Sequence, residues 1–267
     1  MATGRSLHLG LNSVDPARYG GWDGRLLACE NDARDMERLA RGAGFETKVL
    51  LTPECTVENV VTELGRVVRR SAPGDIVLLT YSGHGGQVPD LDEDESDRLD
   101  ETLVLYDREF LDDEVRRELA HAADGVRILV FLDCCHSGTA VELPVGAAEG
   151  GGFAPRMMPP DRQREIFERD RELYRDIQRS LAEDGGAAEA DVLLISACQD
   201  HQVAADGPVN GRFTETLLEV WGGGYDTGGY RAFHQDILRR MPRDQSPNLH
   251  LSGQVAGDFL DQRPFTV

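Results

Sequence analysis

The sequence predicts an α/β fold: a central, mostly parallel sheet of about six strands with helices on both faces. Three observations predict it. Apolar strand-like runs alternate with segments of helical periodicity along most of the chain. The inner runs, such as Ile76-Val77-Leu78-Leu79 and Ile128-Leu129-Val130-Phe131, are apolar without interruption, as strands buried on both faces are. Hydrophobic residues make up 40% and charged residues 28% of 267, ordinary values for a chain that buries a core.

The elements follow in order. Leu7 to Val14 reads as a strand. Asn31 to Ala43 reads as a helix, with Met36, Leu39 and Ala40 on one side and Gly42 and Gly44 as its stop. Phe45 to Leu51 is a strand. Thr56 to Arg70 is an amphipathic helix carried by Val57, Val60, Val61, Leu64 and Val68, with Thr56 as N-cap. Ile76 to Tyr81 is a strand, Thr102 to Tyr106 an extended segment, Asp112 to Ala122 a helix, Ile128 to Leu132 and Asp191 to Ala197 strands. Phe213 to Trp221 and Tyr230 to Met241 read as helices, and Pro242 to Val267 as irregular chain completing a sheet edge. Residues 1–267 are expected to form a single domain. Its one exception is a flexible insertion at about 141–190, where glycine- and proline-rich flanks surround a charged helix-like stretch, Asp161 to Leu181.

Composition narrows the partners. A net charge of -20 disfavours nucleic acid and anionic membranes. The sequence shows no signal-peptide pattern at Met1 to Ser6 and no membrane-length apolar run. Five cysteines, two of them adjacent, read as reduced thiols in a cytoplasmic setting.

Two cassettes carry the chemistry: Tyr81-Ser82-Gly83-His84-Gly85-Gly86 and Asp133-Cys134-Cys135-His136-Ser137-Gly138. Each stands where a buried strand ends, the place where open α/β sheets bind ligands. A thiol and an imidazole brought together there make a cysteine nucleophile with its base. Glycines beside His84 let a carbonyl approach the Gly85 N–H. The residues alone leave other readings open: a buried structural thiol, a hydrogen-bonded loop histidine, or a zinc site from Cys134, Cys135 and His136, disfavoured because adjacent ligands fit one tetrahedral metal poorly.

His84 and Cys135 are 51 residues apart, close to the histidine–cysteine separation of caspases. Locally the cassettes resemble metacaspases and bacterial caspase-like cysteine peptidases more than animal caspases. Further matching stretches are Cys29-Glu30-Asn31-Asp32-Ala33, Leu99 to Leu103, Leu111 to Glu114 and Ser196 to Gln202. The resemblance covers roughly Ser6 to Trp221 and implies a caspase-like three-layer sandwich. It implies a cysteine endopeptidase that cuts after Arg or Lys through a Cys135–His84 dyad, with Cys134 a bystander. The N–H groups of Gly85 and Cys135 would form the oxyanion hole, and Asp32, Ser82 and Asp133 the substrate pocket. No third triad member is evident, and no base nearby in the sequence is evident to neutralise Asp32 or Asp133.

The resemblance also implies a Ca²⁺ site from Asp100, Asp112, Asp113 and Glu142, and no organic cofactor. Eight acids against one arginine between Asp90 and Glu101 suit a hard cation, or equally a solvated loop. Glu142 stands where relatives usually have aspartate. Arg156, Arg162, Arg164, Arg169, Arg171, Arg175 and Arg179 lie between the nucleophile and the next core strand. A basic-specific protease held as a zymogen could process itself there, or an upstream protease could activate it; a solvated arginine–glutamate helix explains the same residues. The expected partners are proteins or peptides with a basic residue at the cut. The alternative is a catalytically silent caspase-like module that binds Ca²⁺ or a partner.

Overall fold

A computed structural model describes residues 2–90, 99–135, 154–183, 190–199, 202–253 and 257–267. In chain order its strands are β1 (Gly4–Gly10), β2 (Phe45–Leu51), β3 (Ile76–Ser82), β4 (Gly85–Pro89), β5 (Leu99–Val104), β6 (Glu109–Leu111), β7 (Arg127–Asp133), β8 (Ala154–Pro155), β9 (Val192–Ser196), β10 (Ala205–Asp206) and β11 (Asn248–Ser252). Its helices are α1 (Cys29–Gly42), α2 (Val57–Arg69), α3 (Asp112–Leu119), α4 (Pro160–Glu183), α5 (Arg212–Trp221), α6 (Tyr230–Arg240) and α7 (Gly257–Asp261).

Six strands form the central sheet in the order β11-β9-β7-β3-β1-β2. All neighbours are parallel except the edge pair of β9 with β11. Alternate side chains go to opposite faces. Ile76, Leu78, Leu129 and Phe131 pack with Met36 and Leu39 of α1, Phe213 and Leu217 of α5, and Phe233 and Ile237 of α6. Val77, Leu79, Ile128 and Val130 pack with Val60, Leu64, Val67 and Val68 of α2 and Leu119 of α3. The result is the expected three layers, with both strand faces dry.

Local chemistry accounts for several boundaries. Thr56 caps α2 by accepting the Asn59 N–H at 3.3 Å, as its sequence position predicts. β1 lies three residues earlier than expected, since it must match β3 over Gly4 to Gly10. The terminal segment is more ordered than its composition suggests: it supplies the antiparallel edge strand β11, the short helix α7, and Phe265, whose ring stacks on Phe131 at 5.7 Å.

A second, antiparallel sheet of β4, β5 and β6 was not legible in the sequence. Its outer side is covered by α4, through Phe167 and Tyr174 against Val88 and Leu111. Of the insertion expected at about 141–190, residues 154–183 are packed onto the body, with Arg156 among the most deeply buried of the described side chains; residues 141–153 and 184–189 lie outside the described residues.

Candidate active site

Sheet register brings the two cassettes together. Along the β3–β7 ladder Ser82 stands opposite Asp133, an offset of 51 residues. The same offset separates His84 from Cys135, each two residues past its strand end. The turn after β3 is clamped by Tyr81, whose hydroxyl donates to the carbonyls of His84 at 2.6 Å and Val104 at 3.1 Å. A Cβ at Gly83 would lie 2.5 Å from that hydroxyl, so the clamp requires glycine there.

His84 is buried with its Nε2 2.9 Å from the Gly24 carbonyl. A carbonyl can only accept, which assigns the proton to Nε2 and the lone pair to Nδ1. Among the described residues Nδ1 is buried without a hydrogen-bond partner. The Trp22 ring packs on the imidazole at 4.9 Å. Burial pushes the His84 pKa down to about 4, with the Gly24 carbonyl acting in the opposite direction. Gly24 is thus the orienting partner that the sequence did not reveal.

The adjacent cysteines face opposite ways. Cys135 belongs to the core on the α1/α5 side, Cys134 to the core on the α2/α3 side. Burial holds the Cys134 thiol well above its ordinary pKa, as for an inert structural thiol. The Cys135 sulfur accepts the Ala204 N–H; the Cys198 thiol donates to the carbonyls of Cys134 and Gln202, and the neighbouring Cys135 together with burial pushes Cys198 strongly upward.

The centre of the site is filled by the chain itself. The backbone N–H groups of Gly85 and Cys135 both point at the Arg156 carbonyl oxygen, each at 3.1 Å. Two converging donors on one carbonyl can stabilise the negative charge that develops when the carbonyl is attacked. β8, just before Arg156, pairs antiparallel with β10, and the Arg156 N–H donates to the Ala204 carbonyl at 3.0 Å. Arg156 thus follows β8 directly, its carbonyl held by the two cassettes and its N–H by Ala204.

Its guanidinium enters a pocket of acids. Nη2 reaches Asp32 at 2.6 Å and Asp206 at 2.9 Å; Nη1 reaches Ser82 at 2.8 Å and Asp133 at 2.9 Å. Burial alone would lower the Arg156 pKa, but Asp133, Asp32 and Asp206 hold it well above its usual value. Burial pushes Asp133 upward against the pull of Arg156. Each acid is also fixed from behind. Asp32 accepts from Asn210 Nδ2 at 2.9 Å and from the Gly211 N–H; Asp133 accepts from the Thr214 hydroxyl at 2.7 Å. A Cβ at Gly211 would stand 2.5 Å from the guanidinium, so glycine makes the room. Asp32, Ser82 and Asp133 are thus brought together. Asp206 and Arg156 itself complete the set, and Arg156 is the neutralising base that neighbouring sequence did not show.

The expected metal residues are placed less completely. Asp100 is buried and accepts from the Gln178 amide of α4. Asp112 and Asp113, at the start of α3, both pair with Arg116. The Asp112 pKa is raised by burial, with Arg116 opposing and with Asp113, Glu101 and Asp100 adding to the rise. Glu142 lies outside the described residues. Among the described residues, no three His, Cys, Asp or Glu side chains gather as a metal-binding group.

Comparison with known proteins identifies the family and the fold. The caspase domain family matches residues 14–256. Metacaspase-1 of Mycosarcoma maydis is 28% identical over 245 residues, covering 79% of this chain and 59% of the relative. Metacaspase-1 of Cryptococcus neoformans var. neoformans is 29% identical over 251 residues, covering 80% and 53%. Metacaspase-1A of Aspergillus clavatus is 36% identical over 157 residues, covering 52% and 35%. The chain thus spans about half the length of the curated relatives it matches. The crystal structure of a Geobacter sulfurreducens protein superposes with a TM-score of 0.89 at 46% identity, over 99% of both chains.

Proposed function

Because the chain belongs to the caspase domain family, we propose that it is a cysteine endopeptidase that cuts after arginine, and that its first substrate is its own Arg156–Met157 bond. One observation carries this reading: a single residue, Arg156, presents its carbonyl to the N–H groups of Gly85 and Cys135 and its guanidinium to Asp32, Asp133 and Asp206.

The chemistry follows from those positions. The Cys135 sulfur attacks the Arg156 carbonyl carbon while the thiol proton passes to the free Nδ1 of His84. The negative charge on the carbonyl oxygen is held by the Gly85 and Cys135 N–H groups. Collapse breaks the bond to the Met157 nitrogen, which takes the proton from Nδ1, leaving Arg156 as a thioester on Cys135. Water, giving its proton to Nδ1, hydrolyses the thioester and restores the thiol. Gly24 keeps the proton of Nε2 in place, so Nδ1 remains the exchanging atom. In the uncut protein burial holds His84 neutral, which disfavours the thiolate–imidazolium pair and makes the zymogen slow.

Arginine is favoured over lysine because the acids are spread around a planar fork: Asp32 and Asp206 on one nitrogen, Ser82 and Asp133 on the other. External substrates enter once Arg156 leaves the pocket. The Arg156 side chain is buried in the uncut protein, so the first cut belongs to this site rather than to an upstream protease.

Calcium remains part of the proposal. Asp100, Asp112 and Asp113, with Glu142, fit a divalent cation in one respect: beyond the effect of burial, Asp113 and Asp100 both push the Asp112 pKa up. These acids would hold the ion, which would supply charge neutralisation. Asp100 would give up the Gln178 amide of α4, which loosens the segment occupying the site. We also assign a cytoplasmic location, supported by five buried cysteines that are all free; no helix among the described residues is long and apolar enough to cross a membrane.

The test is to follow purified wild type and Cys135→Ala by intact mass, with and without Ca²⁺. Cleavage between residues 156 and 157 in wild type alone is expected, faster with calcium. Equal fragments in both proteins, or an uncut wild type, would overturn self-processing; full activity in excess chelator would remove calcium from the mechanism.

A further inference from the structure

Past Arg156 the chain does not leave the site. Met157 forms a parallel bridge with Gly85, and the Met158 N–H donates to the Gly85 carbonyl at 2.9 Å. The Met158 side chain is fully buried in a small apolar cluster with Val14, Tyr19, Val104 and Ile166, against which Trp22 packs. This cluster is separate from the two sandwich cores, and its members apart from Met158 and Ile166 come from the body of the protein.

We propose that Val14, Tyr19, Trp22 and Val104 form a specificity subsite for a large apolar side chain two residues beyond the cleaved bond. The inference rests on the reading of Arg156–Met157 as a cleaved bond. Substrates are then defined on both sides of the cut: arginine before it, and methionine or a residue of similar bulk at the second position after it.

The walls stand without their occupant. Val14 N–H donates to the Asp23 carbonyl at 2.9 Å, Trp22 N–H to Tyr19 at 3.0 Å, and Asp15 N–H to Tyr106 at 2.9 Å. The Tyr19 hydroxyl donates to the Leu105 carbonyl at 2.7 Å. Val104 N–H donates to the His84 carbonyl at 3.0 Å. The loop of residues 14–24 is therefore fastened to the strand beside the catalytic turn. Gly85 brackets the cleaved bond: its N–H holds the carbonyl before it and its carbonyl holds the N–H two residues after it. A substrate kept by that bracket has its second primed side chain aimed at the pocket. Pro159 helps in the chain's own segment, since the residue before proline is biased to extended backbone. Methionine suits a pocket of mixed aliphatic and aromatic walls, being unbranched and polarizable. A carboxylate there would be desolvated without a partner.

The experiment uses self-processed wild-type protein and internally quenched peptides that share one sequence ending in arginine before the cut. After the cut they read Met-Met-Pro, Met-Gly-Pro or Met-Asp-Pro. The expected kcat/KM order is methionine, then glycine, then aspartate, with about tenfold or more between first and last. Val14→Phe, which fills the subsite, should collapse the methionine-to-glycine ratio toward one, with a thermal melt confirming that the variant folds. Equal kcat/KM for the three peptides, all cut after arginine, overturns the subsite alone. Cleavage of none of them after arginine overturns the reading of Arg156 and the subsite with it.

Discussion

Asp206 binds the Arg156 guanidinium at 2.9 Å and, with the same carboxylate, accepts the N–H groups of Leu27 at 2.7 Å and Ala28 at 3.2 Å at the start of α1. One acid thus joins the strand beside the bound segment to the helix that carries Asp32. Asp206→Asn keeps the shape and removes the charge. Cleavage of arginine peptides should lose at least about tenfold in kcat/KM, because a charge-assisted bond becomes a neutral one and an NH₂ group faces a cation. Steady-state kinetics beside Asp32→Asn will check it; a wild-type value would place Asp206 outside the pocket.

Arg156 is both the bond to be cut and the counter-ion of three buried acids. Arg156→Gln should leave the protein uncut and cost on the order of 3–5 kcal/mol of stability, since buried carboxylates lose their partner. Arg156→Lys should be cut, but more slowly, because a single ammonium cannot serve both sides of the pocket. Intact mass of the variants with Cys135 in place reads the cutting, and denaturant midpoints in a Cys135→Ala background read the stability.

The pH dependence of stability follows from two buried histidines. His84 is pushed down to about 4 and His8, between Ser6 and Thr80, to about 3, both by burial. Both folded values lie below the unfolded value, so the unfolded state binds more protons. Stability is complete above about pH 6.5 and is lost as the pH falls toward 4. Each histidine should remove on the order of 2 kcal/mol by pH 5. Urea midpoints of uncut Cys135→Ala at pH 7 and pH 5 will show the fall, and a flat profile would contradict the buried neutral state.

Glu109 has the opposite sign. It is buried under α4, where Thr102 donates to its Oε2 at 2.7 Å and its Oε1 has no partner among the described residues. Burial pushes its pKa up to about 8, with Thr102 acting against the shift. The folded value exceeds the unfolded one, so stability is full below about pH 4.5 and is lost as the pH rises through 8. Glu109→Gln should raise the melting temperature at pH 8 and have little effect at pH 4.5, and thermal scans at both values decide it.

Much of the sandwich was legible because its signals are local. Uninterrupted apolar runs such as Ile128 to Leu132 can only be strands dry on both sides, and the helical spacing of Val60, Leu64 and Val68 marks one buried face. The cassettes were legible for the same reason: each is a short stretch of glycines and polar residues at the end of such a run. β4 and β6 were not, because they are short, and β4 is rich in glycine and follows His84 directly.

The sequence by itself determined the parallel sheet, the ends of β3 and β7, and the placing of His84 and Cys135 past those ends. These follow from hydrophobic periodicity, which acts over a few residues. Only the tertiary structure decided which carbonyl orients His84, that Asp206 joins Asp32 and Asp133, and that Arg156, rather than any of its six neighbouring arginines, fills the pocket with Met158 seated beyond it. Those choices depend on charge pairing and desolvation between residues up to 179 positions apart, which the packing of α1, β10 and the 154–158 segment brings into contact.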